Sequence, residues 1–112
     1  MTKIVFYKNN GILTGMEADG HAMYASYGKD IVCSAISVLI TNTVNALEEI
    51  NGETVDVSQK DGYLSFRIID EKNPSSEVLM KALVLGLECI QKEYGKKYCK
   101  LDFKEETQNV KA

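Results

Sequence analysis

Thr54-Val55-Asp56-Val57-Ser58-Gln59, Lys60-Asp61-Gly62 and Tyr63-Leu64-Ser65-Phe66-Arg67-Ile68-Ile69 follow one another without a break. Apolar and polar side chains alternate on both sides of an Asp-Gly turn. That is the pattern of two strands joined as an antiparallel hairpin. A second hairpin lies upstream. Ile4-Val5-Phe6-Tyr7 is closed by Asn9-Asn10-Gly11, and Ile12 to Ala18 alternates loosely before ending at Asp19-Gly20. Asn-Gly between two apolar runs is a strong short-range hairpin signal.

Each hairpin is followed by a helical pattern. Asp30 is a good N-cap, and Ile36, Leu39, Ile40, Thr43, Leu47 and Ile50 recur at helical spacing until Asn51-Gly52. That predicts a helix of about five turns at 3.6 residues per turn. Asn73-Pro74-Ser75-Ser76-Glu77 opens the second helix. Its apolar side is supplied by Val78/Leu79, Ala82/Leu83, Leu85/Gly86, Cys89/Ile90 and Tyr94, and Gly95 ends it. Cys99 to Phe103 alternates weakly and marks a candidate fifth strand, while residues 104–112 read as a frayed polar tail. The ββα-ββα order predicts an α+β fold. Two helices pack on one face of a mainly antiparallel sheet of four to five strands, which satisfies both apolar faces.

A chain of 112 residues predicts one domain over 1–112 with one modest core. Net charge is −3, which argues against a protein that holds nucleic acid by neutralising phosphates; no direct nucleic-acid contact is expected. Lys96, Lys97, Lys100 and Lys104 read as a solvated face. The three cysteines, at 33, 89 and 99, form no CxxC pair, and one histidine is too few for most zinc sites. Neither metal nor cofactor is expected. Free thiols suit a reducing compartment. The N-terminus lacks the apolar core of a signal peptide, and the runs Ile31–Ile40 and Val78–Ile90 read as too short and too polar for a bilayer. The expectation is a cytoplasmic protein with no membrane contact.

The single histidine, His21, falls at or just past the end of strand two. Cys33 falls in the first turn of the next helix, twelve positions on. A thiol at a helix N-terminus is biased towards thiolate by the unpaired N–H groups and the helix dipole. A histidine that reaches it can take its proton and return it to a leaving amine. The competing reading of Cys33 is a small buried hydrophobe, and that reading holds for Cys89 on its apolar stripe and for Cys99. Asp30 reads first as the cap and second as a group that orients His21. Ser37, one turn after Cys33, can hydrogen-bond thiolate or substrate or simply bond back to its helix. The backbone N–H groups of Cys33 and Ser34 are the natural oxyanion-hole candidates. The intervening loop must border any cleft, so Gly20, Ala22, Met23, Tyr24, Tyr27 and Gly28 are candidate substrate-loop residues, with Gly28 as hinge.

Gly20-His21-Ala22, followed by Tyr27-Gly28-Lys29-Asp30-Ile31-Val32-Cys33-Ser34-Ala35 and Ser37, resembles the signature of the ribosomal-processing cysteine protease (Prp) family. The resemblance extends over nearly the whole chain. It implies a small cytoplasmic bacterial endopeptidase that removes a short N-terminal extension from a large-subunit ribosomal protein, cutting after a pair of aromatic residues. It implies that His21 and Cys33 are the catalytic pair, that Asp30 and Ser37 support them, and that a mobile loop joins them. It also implies a homodimer. Two rival readings stand beside it: a non-enzymatic ribosome-assembly or protein-binding module, and a thiol enzyme of another kind, such as a small transferase.

Overall fold

A computed structural model describes residues 1–26 and 30–106. The elements run β1 (Thr2–Asn9), β2 (Ile12–Asp19), α1 (Ile31–Glu49), β3 (Thr54–Lys60), β4 (Tyr63–Ile69), α2 (Ser76–Tyr94) and β5 (Cys99–Glu105). Both expected hairpins are present. In the first, Asn10 (φ 53°) and Gly11 (φ 79°) occupy the two turn positions between the paired residues Asn9 and Ile12. A two-residue turn with positive φ at both positions matches the twist of the flanking strands. In the second, Lys60 pairs with Tyr63 across Asp61-Gly62.

The five strands form one sheet in the order β3-β4-β2-β1-β5. The candidate fifth strand is real, and it is the one parallel member: it pairs with β1 from Thr2↔Cys99 to Lys8↔Glu105. The other pairings are antiparallel. The pairing of β2 with β4 ends at Asp19↔Tyr63, which sets the tip of the second hairpin beside the chain that leaves β2.

The core lies between the sheet and the two helices. Ile4 and Phe6 of β1, Met16 and Ala18 of β2, and Phe66 and Ile68 of β4 meet Val32, Ile36, Ile40, Val44 and Leu47 of α1. Met80, Leu83, Leu87 and Ile90 complete the layer from α2. By length and composition alone α1 is apolar enough to cross a bilayer, which the shorter run Ile31–Ile40 had not suggested. In the fold its buried stripe faces the sheet.

Two placements differ from expectation. The buried stripe of α2 steps through Met80, Leu83, Leu87 and Ile90, so Cys89 is one position off it and lies exposed. Ile50 is the C-cap of α1 and is 77% exposed, because the helix stops before its last turn can return to the core. The start of α2 also differs. Ser75 makes no side-chain cap bond. Buried Glu53 reaches across instead, accepting hydrogen bonds from Ser76 Oγ (2.5 Å) and the backbone N–H groups of Lys72 (2.9 Å) and Asn73 (3.1 Å). Lys104 and Glu105, read as the start of a frayed tail, instead continue β5 opposite Tyr7 and Lys8, because the parallel pairing with β1 runs on past Phe103; residues 107–112 of that stretch lie outside the described residues.

Candidate active site

The site is assembled where β2 ends. Gly20 has φ +95°, and a Cβ there would lie 2.6 Å from the Met1 carbonyl oxygen, so the position requires glycine. Its N–H donates to the Gly62 carbonyl (2.7 Å), and its own carbonyl accepts from Thr2 Oγ1 (3.3 Å). These bonds fix the backbone from which His21 projects.

The imidazole stands between two groups. Nδ1 is 3.9 Å from Cys33 Sγ, and Nε2 is 3.9 Å from Asp61 Oδ1. A Cβ at Gly62 would come within 3.1 Å of Nε2, so the bare glycine lets the ring rest against the β3–β4 turn. The sulfur–nitrogen separation is at the outer limit of a hydrogen bond to sulfur. Hydrogen bonds of this kind in active sites are often long before substrate binds.

Asp30 builds the other side. It is buried, and its carboxylate is shared between two backbone donors. Oδ1 accepts from Cys33 N (2.9 Å) and Oδ2 from Tyr24 N (2.9 Å). Burial pushes this carboxyl up, but N–H groups of Cys33, Tyr24, Ala25 and Val32 outweigh it and hold the group below its ordinary value. Asp30 is therefore the N-cap of α1 and a tether for the preceding loop. The carboxylate that stands at His21 Nε2 belongs to Asp61.

The oxyanion expectation needs correction. The Cys33 N–H is taken by Asp30 Oδ1, and the Ser34 N–H donates to the Asp30 carbonyl (3.1 Å). Both amides are spent on starting the helix in this state. Ser34 Oγ also donates to that carbonyl (3.1 Å). Ser37 is exposed and lines the cleft with Cys33. In the loop, Ala22 is fully buried and anchors the strand exit, while Met23 is 72% exposed with φ 64°. Tyr24 sets its ring edge-on against Tyr94 (5.4 Å) and Tyr98 (5.1 Å), at the C-terminal end of α2. Tyr27 and Gly28, the remaining loop residues singled out from sequence, lie outside the described residues.

Cys33 and His21 open into a cleft of about 750 Å³ between α1 and the β3–β4 hairpin. Ala18, Ile36, Ile40 and Leu64 give it apolar walls, and Ser37 and Gln59 add polar groups. That size and mixed lining are those of a small-ligand or peptide-side-chain site. Asp61 and Gly62 were missed as site residues. Their only sequence signal was a turn dipeptide. Among the described residues no group of three or more His, Cys, Asp or Glu is placed to hold a metal ion.

A thiol and an imidazole meeting at a helix N-terminus, beside an apolar cleft, are the parts that a cysteine-nucleophile enzyme uses. The family model described as Cysteine protease Prp matches residues 1–100, and the chain belongs to that family; it is a cysteine peptidase. The chain is 29% identical over 97 residues to the ribosomal processing cysteine protease Prp of Staphylococcus aureus strain Mu50, covering 85% of this chain and 92% of that one. It is 28% identical over 92 residues to the protein of the same description from Bacillus subtilis strain 168, covering 77% and 81%. The crystal structure of the essential ribosomal processing protease Prp from S. aureus, in complex with a covalently linked product peptide, superposes with a TM-score of 0.86. That match has 29% identity and covers 93% of this chain and all of the other.

Proposed function

We propose that this protein is an endopeptidase that removes the short N-terminal extension of a bacterial large-subunit ribosomal protein, with Cys33 as nucleophile and His21 as general base and acid. The observation that carries the proposal is the approach of Cys33 Sγ to His21 Nδ1 at the mouth of the apolar cleft. The covalently linked peptide in the S. aureus relative supports a covalent route. His21 Nδ1 takes the Sγ proton, and the thiolate attacks the scissile carbonyl carbon. The resulting imidazolium gives its proton to the leaving amine as the C–N bond breaks. Water, deprotonated by the same nitrogen, then hydrolyses the thioester and restores the thiol.

Ser37 lines the cleft, and its hydroxyl serves as a donor to substrate. Ile36, Ile40 and Leu64 form an apolar wall suited to an aromatic side chain next to the cut. A ribosomal-protein substrate is consistent with action in the cytoplasm, which is part of this proposal. Resemblance to the family favours a homodimer, for which light scattering of the purified protein is the direct check.

The test is to incubate the reduced protein with a ribosomal protein that carries its N-terminal extension and to map the products by mass spectrometry. Cleavage at one site after an aromatic pair is the expected result. A folded, reduced protein that binds ribosomal particles but leaves the extension intact would replace this reading with the binding-module one.

A further inference from the structure

We propose that Asp61, at the tip of the β3–β4 hairpin, is the positioning residue of His21: it holds the Nε2 side of the ring so that Nδ1 faces Cys33. The inference rests on the Cys33–His21 reading above. The geometry has three parts. The ring's two nitrogens face different partners, with Cys33 Sγ 3.9 Å from Nδ1 and Asp61 Oδ1 3.9 Å from Nε2. Gly62 leaves the space beside the ring open: a Cβ there would lie 3.1 Å from Nε2 and crowd it. The hairpin tip is itself latched to the histidine's own strand exit by the Gly20 N–H to Gly62 carbonyl bond of 2.7 Å. The tip is therefore tied to the backbone that carries the histidine.

Asp30, the acid nearest in sequence, has both oxygens on backbone amides. The neighbouring Lys60 directs its ammonium over the Tyr63 ring, 5.5 Å from the centroid. A carboxylate at Nε2 favours the tautomer with the proton on Nε2. In that tautomer Nδ1 carries the lone pair that receives the thiol proton, and the carboxylate then stabilises the imidazolium. The side chains are 84% exposed for Asp61 and 41% for His21, so water and salt screen the pair. The effect is that of an exposed ion pair, a factor of about three to five in rate.

The experiment compares wild type with Asp61→Asn, Asp61→Ala and Asp61→Glu. One readout is the rate of Cys33 alkylation by iodoacetamide, read peptide by peptide with exposed Cys89 as internal reference. The other is kcat and KM on an extension peptide. Both are measured at low salt and at 1 M salt. Asparagine suits a turn position and keeps the shape. Asp61→Asn and Asp61→Ala are expected to slow Cys33 alkylation and kcat about three- to fivefold at low salt, with KM changed less than about twofold. Asp61→Glu recovers most of the rate. The wild-type advantage shrinks at 1 M salt, where the screening length is about 3 Å.

Variants that match wild type overturn the inference, as does loss in Asp61→Ala with none in Asp61→Asn, which would make the role steric. If wild-type Cys33 is alkylated no faster than Cys89 and the peptide stays uncut, the Cys33–His21 reading itself fails and Asp61 falls with it. Intact dyad behaviour with indifferent Asp61 variants removes Asp61 alone.

Discussion

Asp30→Ala removes one carboxylate that serves two masters. The bond from the Cys33 N–H is the helix cap, worth about 1 kcal/mol. The bond from the Tyr24 N–H is charge-assisted and buried, worth about 2 kcal/mol. The variant should therefore lose about 3 kcal/mol. An entropy of unfolding near 2.1 cal/mol/K per residue over 112 residues makes each kcal/mol worth about 4 °C, so the melting temperature should fall by about 12 °C. Asp30→Asn separates the two bonds. Its single side-chain oxygen can still cap α1, but its NH₂ group then faces the Tyr24 N–H, donor against donor. That variant should lose about 2 kcal/mol, nearly all of it from the loop tether.

The assay is urea and thermal unfolding at pH 7, followed by circular dichroism. Acid adds an independent arm. The Asp30 carboxyl is held below its unfolded value of 3.8, so its contribution is present above that pH and is lost as pH falls through the lower folded value. Asp30→Asn should flatten that part of the acid limb. A loss below about 1 kcal/mol in Asp30→Ala, or an unchanged acid limb in Asp30→Asn, would refute the double role.

Two further outcomes follow from the buried groups. Glu53 has three donors and is held below its ordinary value, burial raising it and Ser76 Oγ with the Lys72 and Asn73 amides lowering it further. Glu53→Ala should cost about 3 kcal/mol in urea unfolding, because it strands those donors beneath α2; a cost under about 1 kcal/mol would show the connection is held otherwise. Cys99 is fully buried, and burial pushes its thiol up to about 11 from 9.0. A raised folded value means stability is intact below pH 9 and declines as pH rises towards 11. Native protein should leave Cys99 unalkylated below pH 9 while exposed Cys89 reacts, and Cys99→Ala should lack the alkaline decline; rapid native labelling of Cys99 would contradict its burial.

What could be read from the sequence was whatever is written locally. Asn10-Gly11 and the Gly62 of Asp61-Gly62 announce their hairpins because few other residues accept positive φ at those positions. Asp30 announces α1, and with it the place of Cys33 in the first turn, because capping is a contact three residues long. The meeting of His21 with Cys33 follows from one short connection. The rest depended on strand order, which periodicity does not carry. Asp61 reaches His21 because β2 pairs with β4 out to Asp19↔Tyr63. Glu53 reaches Ser76 across 23 residues, and no spacing rule marks it. The parallel docking of β5 on β1 is equally remote. Cys89 was misplaced for another reason. Val78, Leu85 and Cys89 form a second apolar stripe on α2, and composition alone does not tell which stripe faces the sheet.

The central claim is that Cys33, with His21 as its base, cuts a peptide bond. The most direct measurement is the rate of cleavage of an extension-bearing ribosomal protein by Cys33→Ser, His21→Ala and Cys89→Ala, beside wild type, with each fold checked by circular dichroism. The account predicts single-site cleavage by wild type and Cys89→Ala, and loss of at least about a thousandfold in the first two variants. Folded Cys33→Ser or His21→Ala protein that still cuts at a comparable rate would contradict it.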